Sequence, residues 1–512
     1  MPTLSARREP DSDRTPRALA RAVPAMPGPR PLVMNNAAWL TICRAVADIA
    51  GFVLFASLSR IYGPAVTGQY SYSFAIASLV ALVATAGLEE FGIRAFVRAT
   101  HNQARVWSNL LSTQVAQSTA ALLGLAIFMA ISHTRLASSL LVLELTLFQS
   151  AAAVAHTLFV PAMAARNMVK PALQELACRI GGIALVLIIL AIGPSQPTIA
   201  LLPLPAAGLV LLLLAFKNSR HHAAFQRLNL SWSVWKDTWR QTGHFAGAQT
   251  LSQFYVRTDL LMIAYFLGNE PIGIYATDIK FVEVGLVPLA LLGTASYPVL
   301  STLLSSPAAT RSAAVRDFCG LEIMLSGWLT AGISLLLPCL IVPLFGTQFA
   351  PAVALLPWFA ALAFVKGMEV ALSRLAYSFN RQSLYLHSLL SGISVLAVLN
   401  LLWIPRYGLA GAILAALCGT TCVVIVCAAG MRRHVAWYAL VELIMRAGAA
   451  LLMTFAAVEI ALAPRLAPWL AATLGCALYP AFSALAGLLP NPVRSILFAG
   501  APHARLPFGG RK

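Results

Sequence analysis

The sequence predicts an all-α polytopic membrane protein with about fourteen transmembrane helices: two six-helix lobes around a central cavity, plus two C-terminal helices. Three observations predict it: composition, the spacing of the apolar runs, and the distribution of positive charge. Hydrophobic residues are 59% of the 512, charged residues 11%, and the mean hydropathy is +0.78. Soluble chains carry roughly 25% charged residues. The charge here is too sparse to coat the several water-facing domains that this length would otherwise suggest.

A helix needs about 20 apolar residues to cross the hydrocarbon core. The runs that qualify are 37–59, 68–92, 107–132, 137–162, 172–193 and 196–216, then 243–266, 271–297, 319–344, 350–373, 383–404, 408–430, 437–459 and 466–489. Gly193-Pro194 and Pro405 mark the shortest breaks. Residues 1–36 are Arg/Pro-rich with no apolar core of useful length, so they read as a disordered basic cytoplasmic tail and not as a signal peptide. Met34 offers an alternative start of translation. A chain beginning there is expected to insert and transport. Residues 37–216 form the first lobe, 243–430 the second, 431–489 the additional pair, and 490–512 a second cytoplasmic tail.

Alternate loops collect the positive charge. One set, with both tails, holds twenty-six Lys and Arg; the other holds only Arg60, Arg135, Arg406 and Arg465. The positive-inside rule places both termini in the cytoplasm. It also accounts for most of the net charge of +18 without a nucleic-acid partner. The loops on the opposite side are short, which excludes an external catalytic domain. The longest basic loop, 217–242, carries Trp232, Trp235 and Trp239 among cations, and reads as an amphipathic helix on the anionic inner leaflet. None of the eight cysteines forms a CxxC pair, and no GxxxxGK[ST], HExxH or GxSxG occurs; no metal or cofactor is indicated.

A repeat divides the chain. The first span leaves through GPAVTGQY, Gly63 to Tyr70, and the seventh through GNEPIGIY, Gly268 to Tyr275. Both read G-x4-G-x-Y at matching places. Six spans, a connector and six more is a transporter pattern with the site between the halves.

Four stretches carry a family resemblance: LSRIYGPAVTGQYSYSFAIASLVALVATAGLEEFGIRAFVR at 58–98, YVRTDLLMIAYFLGNEPIGIYATDIKF at 255–281, SYPVLSTL at 296–303 and NLLWIPRYGLAGAILAAL at 400–417. The chain resembles Wzx-type oligosaccharide or polysaccharide flippases, in the MOP superfamily that also holds the MATE exporters and the lipid II flippase MurJ. The resemblance implies a transporter of the bacterial cytoplasmic (inner) membrane. Its cargo would be an undecaprenyl-pyrophosphate-linked glycan, and its partners membrane lipids, a glycan polymerase and other polysaccharide-assembly proteins. Such a cargo asks for cations at the pyrophosphate and a slit to lipid for the tail.

Six cations lie inside spans. Helical neighbours at i±3 or i±4 can offset their burial. Arg44 has Asp48, Arg179 has Glu175, Lys280 has Glu283, Lys366 has Glu369 and Arg446 has Glu442. Arg257 has no acid at that spacing, so it faces a wet cavity or pairs with another helix. Arg257, Arg44, Lys280 and Lys366 are the substrate-binding candidates; Arg179 and Arg446 sit where they can snorkel. Asp259, Asp48, Asp278 and Glu144 are candidates for coupling to an H+ or Na+ gradient, Asp259 because it fits the family's seventh-helix Asp. Glu89 and Glu90 read as a solvated rim, and His156 as an isolated residue. A MATE-type cation-coupled exporter is the alternative, although it would favour an acidic cavity. A membrane-embedded glycan polymerase or ligase would need a larger external loop.

Overall fold

A chain that crosses lipid must satisfy its backbone internally, and an unclosed chain does so only as helices. The computed structural model describes residues 29–85, 87–99, 103–131, 136–165, 168–194, 196–219, 232–303, 307–432 and 437–488; no strand occurs among them. Eleven helices are long and apolar enough to cross a membrane. Two of these, α1 (Pro29–Thr85) and α15 (Gln382–Gly430), bend at the non-helical residues Gly63 and Gly408 and make two crossings each. Helix α8 (Trp232–Leu267) is more polar and completes the fourteen.

The first lobe continues from α1 through α2 (Leu88–Arg98), α3 (Gln103–Ile131), α4 (Leu136–Ala164) and α5 (Val169–Ile192), then α6 (Pro197–Leu201) and α7 (Pro203–Ser219). The second begins with α8, α9 (Asn269–Gly285), α10 (Val287–Thr302) and α11 (Ala308–Ala331). A π-helical turn at Gly332–Leu336 joins α11 to α12 (Leu337–Phe345). Pro338 lacks the N–H that would bond the Ser334 carbonyl, so the helix cannot run through regularly. Helices α13 (Ala350–Val353), α14 (Leu356–Ser378) and α15 complete the lobe. Helices α16 (Trp437–Ala456) and α17 (Pro468–Leu485) pack on each other and on α11. Glu442 fastens this pair, accepting from Arg316 at 3.0 Å through both oxygens and from Arg446 at 2.5 Å.

Three predicted boundaries shift. Residues 29–36, assigned to the tail, are helical; residues 1–28 and 489–512 lie outside the described residues. The second span ends at Thr85, and Leu88 opens the separate helix α2. The predicted surface helix in 217–242 is not a separate element among the described residues. Residues 217–219 finish α7, 220–231 lie outside the description, and 232–242 run straight into the seventh span as α8. Nothing between Trp232 and Leu267 breaks a helix: the segment has no proline.

The lobes meet most closely at the end that carries Gly63 and Gly268, called here the hairpin end; the opposite, basic end carries Arg94, Arg316 and Arg381. Each hairpin glycine has a positive φ, 79° at Gly63 and 86° at Gly268, which lets the chain turn at once into the next span. The second glycine of each motif then sits on the other motif. A Cβ on Gly68 would lie 1.7 Å from the Asn269 carbonyl oxygen, and one on Gly273 would lie 2.0 Å from that of Pro64. Arg60 adds hydrogen bonds across the lobes to the carbonyls of Pro343 and Leu344. Below this join, Phe52 and Phe55 of α1 meet Phe281 of α9 and Phe345 of α12 edge-on, with centroids 5.2–6.4 Å apart. Phe345 is 1% exposed. Phe345→Ala is expected to cost about 3–5 kcal/mol through the cavity it leaves, read as a lower melting temperature in detergent.

Candidate functional site between the lobes

Charged side chains cluster in both lobes, and the two clusters differ in charge balance. On the first lobe, the packing of α1 against α4 and α5 brings together six ionisable groups. His156 of α4 is held at both ring nitrogens: Nδ1 is 3.2 Å from Glu89 of α2, and Nε2 is 3.1 Å from Glu175 of α5. With both carboxylates ionised, each contact takes an N–H from the ring. Arg179 pairs with Asp48 at 3.9 Å, and Arg44 lies within electrostatic reach of Glu89 and Glu175. Three acids therefore face two arginines and a histidine, a nearly balanced wall.

The second lobe is different. Glu283 of α9 accepts from Arg257 of α8 at 3.4 Å and from Lys280 at 2.9 Å. Lys366 of α14 acts on the same carboxylate electrostatically, and its ammonium lies 4.9 Å from the centre of the Tyr255 ring. Three cations thus act on Glu283, and Lys366 acts on Asp259 as well. Arg257 also reaches across the lobes: its guanidinium carbon is 5.4 Å from the centroid of Phe74 on α1. It is 15% exposed, and its Nε is buried with no hydrogen-bond partner.

Behind this wall lies a polar network built on two further acids, Asp259 and Glu369. Asp259 points away from Arg257, as its two-residue offset dictates. Its Oδ2 accepts from Tyr275 at 3.0 Å and its Oδ1 from Asn400 of α15 at 2.9 Å. Glu369 accepts from Tyr255 and Tyr385, each at 3.2 Å, and the Tyr255 hydroxyl is also 2.9 Å from Thr420.

The local pairings expected from spacing hold for Lys280–Glu283 and Arg446–Glu442 and fail for three others. Asp48 is drawn to Arg179 and not to Arg44, because α5 lies alongside α1. Glu175 turns to His156 and not to Arg179. Glu369, buried, takes two tyrosine hydroxyls while Lys366 lies over a ring. Arg257 does find an acid, on the neighbouring helix. His156 is not isolated, and Glu89 is its partner as well as a rim residue. Asp278 is 1% exposed with neither carboxylate oxygen hydrogen-bonded, and Glu144 Oε2 is likewise unpartnered. Sequence reasoning overlooked Glu283 as the shared acid, and also Tyr275, Asn400 and Tyr385. An Asn inside the apolar run 383–404 was the visible signal.

Residues 33–304, more than half of the chain, match the family described as "Polysaccharide biosynthesis protein". The chain belongs to the polysaccharide biosynthesis protein family. No curated protein matches it by sequence. Among solved structures, this polysaccharide biosynthesis protein has the fold of "Lipid II flippase MurJ, inward closed conformation", with a TM-score of 0.70 and 12% identity over 87% of this chain and 98% of the other. An inward-facing multidrug resistance MATE family transporter of the MOP superfamily follows at TM-score 0.56 and 13% identity, covering 77% and 96%. A MOP superfamily transporter from Pyrococcus furiosus, described as having a binding pocket of reverse polarity, gives 0.51 and 14%, covering 80% and 96%. The fold is therefore the one that the four sequence stretches implied, and the chain has eleven helices long and apolar enough to cross a membrane among its described residues.

Proposed function

We propose that the protein translocates a polyprenyl-pyrophosphate-linked oligosaccharide across the cytoplasmic membrane by alternating access between its two lobes. The observation that carries this reading is the wall of Arg257, Lys280 and Lys366 around Glu283. An arginine presents a planar fork to phosphate oxygens, and ammonium groups add charge without fixed geometry. Arg44, beside Glu89 and Glu175 in the first lobe, is proposed as a further cation for the same cargo. An organic cation would find this wall repulsive, which disfavours the exporter alternative. Asp259, with Asp48, Asp278 and Glu144, remains the set proposed for coupling to an H+ or Na+ gradient, and Asp259→Asn is expected to change dependence on the gradient more than cargo affinity.

The test is flipping of defined lipid-linked glycans in proteoliposomes. Protection of the glycan from an external modifying enzyme should be lost with time in liposomes holding the protein. Transport of organic cations with no effect on lipid-linked glycans would overturn the proposal. The basic end is proposed to face the cytoplasm. Reporters in 217–242 and at both termini should then stay inside the cell; exposure of His221 to the exterior would refute that orientation.

A further inference from the structure

We infer that His156, Glu89 and Glu175 form one proton-binding site in the first lobe, and that its proton keeps Arg44 free for an anion. The number of hydrogens defines the site. The ring nitrogens lie 3.2 Å from Glu89 and 3.1 Å from Glu175. Two such contacts need two hydrogens, one in each. A neutral imidazole between two carboxylates supplies one. At the other nitrogen a lone pair would face a carboxylate oxygen with nothing between them. The geometry therefore holds one proton more than a neutral ring and two ionised acids carry. Helices α2, α4 and α5 each contribute one member. The second hydrogen thus decides whether His156 ties two helices to its own or only one.

The spacing of the same residues allows a second pairing. Glu175 and Arg179 lie one turn apart on α5, and Arg44 and Asp48 one turn apart on α1, so each pair can meet on its own helix. Neither does. Arg179 reaches across to Asp48 at 3.9 Å, and Glu175 is taken by His156. Arg44 is left with no hydrogen bond or ion pair among the described residues. The two pairings differ by one proton. In the second, Arg179 takes Glu175, Arg44 takes Asp48, and a neutral ring donates its single N–H to Glu89. Passing to it breaks one ring N–H bond and sends that proton to water. An Arg179 N–H···O contact moves from Asp48 to Glu175, and the released Asp48 receives Arg44. No helix has to move. His156, Glu89, Glu175, Arg179 and Asp48 keep 30–42% of their side-chain surface exposed, so they can turn in place.

The other helices packed on α4 bring little charge to the ring. Helix α3 presents Gln114, which accepts from Thr157, and its one charged residue, Arg105, is at its basic end. Helix α7 carries Lys217 only in its last turn, and α6 has no charged residue. On α2, Arg94 and Arg98 lie five and nine residues beyond Glu89, and the side chain of Glu90 lies outside the description. On α5, Cys178 faces Glu175, and Lys170 is five residues before it. The consequence concerns Arg44, and it rests on the proposed role of that residue toward the cargo. With the proton bound, Arg44 is available to an anion; with the proton lost, it is already paired. Proton and pyrophosphate then favour each other's binding, equally in both directions.

The ring and the anion are measured separately. In the lipid-reconstituted full chain with isotope-labelled histidine, solid-state NMR should show hydrogen on both ring nitrogens of His156 at neutral pH, and the loss of one as pH rises. The signal is assigned by its absence in His156→Gln. In Glu89→Gln the new amide donates to the ring in place of the proton, so the ring should carry a single N–H at neutral pH. Affinity for farnesyl pyrophosphate is then compared between the wild type and Asp48→Asn, in which Arg44 has no acid to return to. Comparison at equal pH cancels the probe's own titration. The ratio of the two affinities should shift against the wild type by about tenfold as the ring loses its second hydrogen, the effect of one hydrogen bond to a charged group. A wild-type ring with one N–H at neutral pH would overturn the inference, as would a ratio that does not change with pH. Binding of the probe by neither protein, with the ring titrating as expected, would instead remove Arg44 from the cargo path and leave the proton site standing.

Discussion

Arg257→Ala is expected to abolish flipping of a lipid-linked glycan while the protein still inserts and keeps nearly its normal melting temperature. The geometry separates these two outcomes. Breaking an isolated buried ion pair leaves an uncompensated charge and costs about 3–5 kcal/mol. Here Glu283 keeps Lys280 at 2.9 Å when Arg257 is removed, so no acid is stranded. What disappears is the one planar donor in the wall, and hydrogen bonds to charged groups are worth about 1.5–3 kcal/mol each. Two such bonds to a pyrophosphate correspond to a loss of roughly two to four orders of magnitude in affinity. Arg257→Lys should restore only part of the rate, because an ammonium keeps the charge and loses the fork. Glu283→Gln should behave in the opposite way: it leaves Arg257, Lys280 and Lys366 facing one another, and should destabilise the protein in the absence of an anionic cargo. Normal flipping by a well-folded Arg257→Ala protein would remove the wall from the substrate path.

Gly68→Ala and Gly273→Ala should each stop transport by preventing closure at the hairpin end. The added methyl would lie 1.7 or 2.0 Å from a backbone carbonyl oxygen of the other motif. A backbone has no rotamer with which to yield, so the lobes must separate; overpacking of this kind typically costs 1–3 kcal/mol or more. The closed arrangement would then be depleted while each lobe stays folded. Gly124→Ala is the control, because nothing lies within 4 Å of its added Cβ. Distances measured between labels on the two hairpins should lengthen in the first two variants and not in the third. Unchanged distances with full transport would show that the join is not needed for the cycle.

What was legible in the sequence was local. The apolar runs fixed fourteen crossings because a helix in lipid leaves few alternatives, and the spacing found Lys280–Glu283 and Arg446–Glu442 because both pairs lie within one turn. The pairs it misassigned are chosen by which helices become neighbours. Asp48 meets Arg179 from 131 residues away, and His156 is held from distances of 67 and 19 residues. Periodicity along one helix carries no record of such partners. The boundary of α8 was missed for a related reason: the polar stretch 232–242 looks like a loop by hydropathy, but nothing in it stops a helix.

The reciprocal seating of the two glycine motifs also bears on which changes the two halves can take. In each direction the carbonyl of the motif's second residue, Pro64 or Asn269, meets the sixth residue of the other copy, Gly273 or Gly68. That is the arrangement of an isologous interface, in which one surface is complementary to itself. The two walls are free to differ in charge, since neither has to match itself. The hairpins are not free in this way. A side chain gained on one must be accommodated by the other, so a change there requires a paired change at the place where the two halves bind each other.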